Sequence, residues 1–150
     1  MDMQTLFFTS IAPQPTYSTG EVISLGDWVR AFLPRLGVWH DGIVSSIFFA
    51  GTGFAVQIAN NAKGKGVVKM DWHDFAEGQI IQLKRHPSSV AHVQEILGRV
   101  EESMGKPFHL IGQNCQHFAS YAFNGKPESE YVQALGWAAA IVLAIKLFIP

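Results

Sequence analysis

Apolar and polar positions along the chain change period several times, and each change predicts an element. Val22–Arg30 reads as a short strand region broken by Gly26. Gly37–Phe49 is rich in β-branched and aromatic residues and predicts a strand around His40–Ser46. Gly51 and Gly53 mark a turn, and Phe54–Ala59 returns as the partner strand of a hairpin. The Asn, Lys and Gly residues of Asn60–Gly66 predict a second turn, with Val67–Met70 and later Gln79–Lys84 as further strands. Between those two, Asp71 is placed to cap a short helical turn that carries Asp74 and ends at Gly78.

The period then lengthens. Val90, Val93, Ile96, Leu97, Val100 and Met104 recur at helical spacing after Ser88 and Ser89, either of which is a suitable cap, and Gly105 follows. Pro107–Ile111 reads as short and extended, Asn114–Phe123 as a helix stopped by Gly125, and a last helix begins near Glu128 or Ser129. The expected class is α+β: an antiparallel sheet of about four to six strands with helices packed on one side.

Composition narrows the function. A chain of 150 residues makes one domain with a sizeable core. The net charge of −1 leaves no basic field for nucleic acid. One cysteine excludes an internal disulfide and a multi-cysteine metal site, and no glycine pattern resembles a phosphate loop, so neither cofactor nor metal is expected. Met1–Ser10, with Asp2 and an apolar run of only Leu6–Phe8, does not read as a secretory signal. Ala134–Ile149 carries Lys146 as its only charge. As a helix it is roughly 24 Å long, against about 30 Å for a hydrocarbon core. With Tyr131 and Trp137 as interfacial anchors it is expected to be a membrane-associating helix on the cytoplasmic side; the alternative is a helix docked on the domain or on a second copy.

The single thiol sits where thiol chemistry belongs. Cys115 follows Gly112–Gln113–Asn114 and precedes the apolar Phe118, Ala119, Ala122 and Phe123, which puts it in the first turn of a helix. Partial positive charge and free N–H groups at a helix start favour thiolate and can hold an oxyanion. Six histidines compete as its base. His117 lies about 200° around the helix from Cys115 and faces away. His86 and His92 read as solvated, His73 as a surface residue, and His109 as pointing along the sheet. His40, held on a strand, is the strongest candidate by local sequence, without excluding the others.

Gly37-Val-Trp-His-Asp-Gly-Ile-Val44, followed downstream by Asn114-Cys-Gln-His-Phe118, resembles the histidine strand and the Asn-Cys-Glu-His-Phe box of the lecithin:retinol acyltransferase family. Gly26-Asp27, Val67–Gly78 and Asn124–Val132 resemble further stretches of that family, and the likeness covers roughly residues 22–133. It implies a permuted papain-like (NlpC-like) domain, with the histidine strand ahead of the cysteine helix, Cys115 as nucleophile and His40 as base. Members often carry a second histidine about a dozen residues after the first. The matching place here holds Gln57, which would orient the imidazole by a neutral hydrogen bond. Asp41 adjoins His40 but points to the other face of its strand.

The expected organisation is therefore an N-terminal segment over 1–21, the thiol domain over 22–133, and an apolar C-terminal helix over 134–150. The expected activity is cysteine-dependent acyl transfer or hydrolysis on a lipid or other acyl ester through a thioester on Cys115. A cysteine peptidase or isopeptidase of the same permuted superfamily, and a non-catalytic binding module, are the alternatives. Gln116-His117-Phe118 and the apolar tail favour the lipid branch.

Overall fold

The computed structural model describes residues 15–51, 53–107 and 114–148. The expected short extended stretch Pro107–Ile111, with His109, lies largely outside these residues, as do Gly112 and Gln113 of the cysteine box. Most of the N-terminal segment 1–21 does too.

The chain forms an α+β fold. Strands β1 (Trp28–Leu33), β2 (Val38–Ala50), β3 (Gly53–Ala62), β4 (Gly66–Asp71) and β5 (Ile81–Arg85) make one sheet in the order β4-β3-β2-β1-β5. All its pairings are antiparallel. The helices are α1 (Trp72–Ala76), α2 (Val90–Ser103), α3 (Cys115–Asn124) and α4 (Glu130–Phe148). The first strand starts later than its apolar pattern suggests, because Leu25 and Gly26 are spent on a turn in which Gly26 takes a φ of 81°.

Alternation sorts the core into two layers. On one face Val29, Ala31, Val44, Val56 and Ile58 pack with Tyr17, Ile23, Phe75 and Ala76. On the other Trp28, Ile43, Ala59 and Val67 pack with Ile96 and Val100 of α2 and with Phe118, Ala119, Ala122 and Phe123 of α3. The helices are thus not confined to one side, as the sequence suggests. The short α1 and the segment around Tyr17 cover the second face, because alternating strands with both sides apolar need two lids.

Helix ends follow their caps. Ser89 accepts from the His92 amide at the start of α2, Asn114 accepts from the His117 amide at the start of α3, and Gly125 stops α3 at a φ of 75°. Asp71 occupies the cap position of α1 but makes no side-chain cap bond. The C-terminal helix forms and stands exposed, with Trp137 73% accessible. Among the described residues, no helix is long and apolar enough to cross a membrane. The first turn of α4 is polar and tied to the sheet, since Glu130 pairs with Lys84 and Arg30. The apolar C-terminal helix expected over 134–150 is thus an exposed helix over Glu130–Phe148, rooted on the domain through Glu130.

Candidate functional site

The β2–β3 ladder is hydrogen-bonded from its hairpin turn down to Ile43↔Ala59 and no further. Beyond that pair β2 continues with Gly42, Asp41, His40 and Trp39 on β1, while β3 continues with Asn60, Asn61 and Ala62 on β4. The two strands separate, and the start of α3 enters beside the freed edge of β2. Cys115 is the first residue of α3, and its sulfur lies 3.9 Å from the carbonyl oxygen of Trp39. The backbone of Asp41, with that of Gln116 and Cys115 itself, also hydrogen-bonds the sulfur and favours its charged form. The thiol thus touches the strand on both sides of His40, at a helix start whose amides point toward it.

The imidazole belongs to the face that carries α1. His40 pairs with Ala31 and stacks on Phe75, with ring centroids 4.6 Å apart and planes inclined by 25°. Burial holds its pKa below the usual value, and the Glu77 carboxylate works weakly the other way. The ring is therefore neutral at pH 7. No hydrogen bond joins it to Sγ, whose hydrogen-bond acceptor is Trp39.

Burial also decides the state of the thiol. The helix start was expected to lower its pKa, but desolvation outweighs the backbone bonds and the nearby Asp41 carboxylate adds to the rise, taking Cys115 up to about 11. At rest both the thiol and the imidazole are therefore neutral at pH 7.

Gln57 is not brought to this site. It pairs with Ser46 on one side and Asp71 on the other, above a bulge between Val44 and Ser46. Its neighbours Val56 and Ile58 face the α1 layer, so Gln57 faces the opposite layer from His40 and sits roughly 20 Å along the strand from it. It cannot orient the imidazole. Asn60, two residues beyond Ile58 on β3, falls instead on His40's own face of the sheet. Asn60 is fully buried, and neither its amide nitrogen nor its carbonyl oxygen has a hydrogen-bond partner among the described residues. A buried, unsatisfied amide costs about 1–3 kcal/mol. Reflecting the chain about the Gly51–Gly53 turn carries His40 to about residue 64, well past Gln57.

Asp41 faces the α3 layer, as expected. It accepts from Trp28 Nε1 at 2.9 Å and lies 3.5 Å from Lys84 Nζ and 3.6 Å from Arg30. Burial still holds its carboxyl above the usual range against those two cations. The start of α4 is knit to the same place. Ser129 accepts from Asn114 Nδ2 at 3.2 Å and donates to Gln116 Oε1 at 2.7 Å, bracketing Cys115 in the chain.

Two of the other histidines, His86 and His92, have structural partners that the sequence did not reveal. His86 Nδ1 is 2.7 Å from the buried Asp27, which also accepts from the Tyr17 hydroxyl at 2.7 Å. His92 Nε2 reaches the Phe123 carbonyl at 2.8 Å and joins α2 to α3. His117 faces away from the thiol, toward a pocket lined with Asn61, Val67, Phe118 and Tyr121. No cluster of three or more metal-ligating side chains exists among the described residues. No family model matches the chain, and the comparison with curated proteins gives no match.

Proposed function

We propose that the protein is a cysteine-dependent acyltransferase or acyl hydrolase that works through a thioester on Cys115, with His40 as general base and a lipid ester as substrate. The observation that carries this reading is the seating of the Cys115 sulfur at the start of α3, against the backbone on either side of His40. The permuted papain-like arrangement implied by the sequence resemblance belongs to the same proposal.

Because both groups rest neutral, His40 takes the thiol proton as Sγ attacks the ester carbonyl. The amides of Cys115 and Gln116 stabilise the oxyanion. Collapse of the tetrahedral intermediate breaks the ester C–O bond, the proton on His40 passes to the departing alcohol, and the acyl group stays on sulfur. Water or a second alcohol or amine, deprotonated by His40, then removes it and restores the thiol. Asn60 takes the orienting role assigned to Gln57 by sequence: a neutral amide on the imidazole's face, buried with unspent hydrogen-bonding capacity. A hydrogen bond from that amide would fix the ring without accepting its charge once the substrate brings the two together.

Two features favour a lipid over a peptide substrate. Helix α4 exposes Leu135, Trp137, Ile141, Val142 and Leu143, and a helix apolar all round suits a lipid surface better than water. Its root is hydrogen-bonded to both chain neighbours of the nucleophile. Incubation with a phospholipid and, separately, with a peptide panel, followed by mass spectrometry, tests the assignment. The expected result is an acyl adduct on Cys115 from the lipid alone. Peptide cleavage without lipid reaction would move the protein to the peptidase branch.

A further inference from the structure

The β2–β3 hairpin runs on past the rest of the sheet. Pairing of β1 with β2 begins at Trp28↔Ile43, and pairing of β4 with β3 ends at Asp71↔Gln57. Ile47↔Val56, Phe48↔Ala55, Phe49↔Phe54 and Ala50↔Gly53 therefore form a two-stranded arm with neither outer edge paired to another strand among the described residues. Ile47 and Val56 root the arm in the core, and the part beyond them is apolar and partly exposed: Phe48 is 45% and Phe49 40% exposed.

Exposed aromatic residues stand on both faces. Register places Phe49 and Phe54 on one side, where their rings meet edge to face at 5.8 Å, and Phe48 on the other. A protein groove receives one face of a strand pair, whereas a lipid interface surrounds both. Charge points the same way. From Gly42 to Ala62 the sequence has no charged residue, so the arm has nothing to match an acidic or basic partner and complements an electrically neutral surface. Aromatic rings are the side chains that settle at the headgroup level of a bilayer.

We propose that this arm is a lipid-inserting element, which dips Phe48, Phe49 and Phe54 into the interface of a zwitterionic membrane. It is separate from helix α4 and does not depend on the acyl chemistry proposed for Cys115. The arm acts as a neutral wedge, so its binding is insensitive to salt and to the fraction of anionic lipid.

The test uses the full chain with Cys115→Ser and Phe49→Cys, labelled at residue 49 with an environment-sensitive nitrobenzoxadiazole dye and mixed with phosphatidylcholine vesicles. The emission should rise and shift to the blue, and lipids brominated high on the acyl chain should quench it. The same dye at Lys63→Cys, on the β3–β4 turn, should stay as in buffer. In flotation, Phe48→Ser with Phe49→Ser should lower vesicle partitioning about tenfold, the scale expected when two partly buried rings are lost from an apolar phase. The proposal is overturned if the chain floats while residue 49 reports water, if it does not float at all, or if floating requires anionic lipid. It is also overturned if the double substitution abolishes a dimer instead, which would make the arm a contact between copies.

Discussion

The two ends of the β2–β3 ladder are built on opposite plans. At the arm, every backbone step between Ser46 and Ala50 is paired across the hairpin, yet Phe48 and Phe49 stay 45% and 40% exposed. At the other end the ladder stops at Ile43↔Ala59, the strands part, and the side chains are buried with polar groups unsatisfied. The first end gives up side-chain burial and the second gives up pairing. The parted end gains a place where a helix start meets a strand edge, so that a thiol, a row of amides and an imidazole share a few ångströms of backbone. Such local losses of stability mark places where structure serves something other than folding.

The largest expected way to break this contrast is at Gly42. A Cβ there would lie 2.5 Å from Ile58 Cγ2 and 2.8 Å from Phe75 Cε2, in the layer on which His40 stacks. Gly42→Ala should cost about 1–3 kcal/mol by overpacking, whereas Gly53→Ala, with open space around its Cβ, should leave the melting temperature nearly unchanged. Equal losses at the two positions in thermal denaturation would erase the distinction between the ends.

Asn60 gives the next largest effect, with opposite signs in two readouts. Asn60→Leu removes a buried, unpaired amide at similar volume, so stability should rise by about 1 kcal/mol. Turnover should fall about tenfold if the amide orients His40. Gln57→Ala, by contrast, should leave kinetics unchanged. Wild-type activity in Asn60→Leu would remove Asn60 from the site.

The helix that carries Cys115 was legible from local signals: Asn114 caps it, Gly125 stops it, and its first residue lies against the backbone of β2 beside His40. These are local facts, set by a cap, a glycine and an alternating strand. Gln57 failed for a non-local reason. Its distance was counted along the chain from His40, but pairing partners are set by where the hairpin turns and by the bulge at Ser45. The thiol's ionisation was equally out of reach. A helix start can be read from sequence, but the desolvation that overrides it depends on what packs over the sulfur. The second lid on the sheet was hidden because α1 is only five residues long and its buried Phe75 looks like part of a turn.

Two pH effects should be smaller but sharp. Burial lowers the His40 pKa in the folded state, so between that value and the ordinary 6.5 the unfolded chain binds the extra proton. Stability should therefore fall as the pH drops below about 6.5 and flatten below the folded value. His40→Asn should remove that part of the slope in denaturant titrations, and an unchanged slope would place the titration elsewhere. At the other extreme, alkylation of Cys115 should keep accelerating up to a midpoint of about 11. A midpoint at or below 8 would show a thiolate already formed at rest.

The claim on which the rest depends is that Cys115 attacks an ester with help from His40. It is tested most directly by the rate at which a short-chain diacylglycerophosphocholine acylates the full-length protein, followed by intact mass and peptide mapping. The account predicts one acyl group on Cys115, with formation slowed about 100-fold or more in His40→Ala at pH 7 and abolished in Cys115→Ser. Ester turnover that persists in Cys115→Ser, or an adduct that forms as fast in His40→Ala as in the wild type, would contradict it.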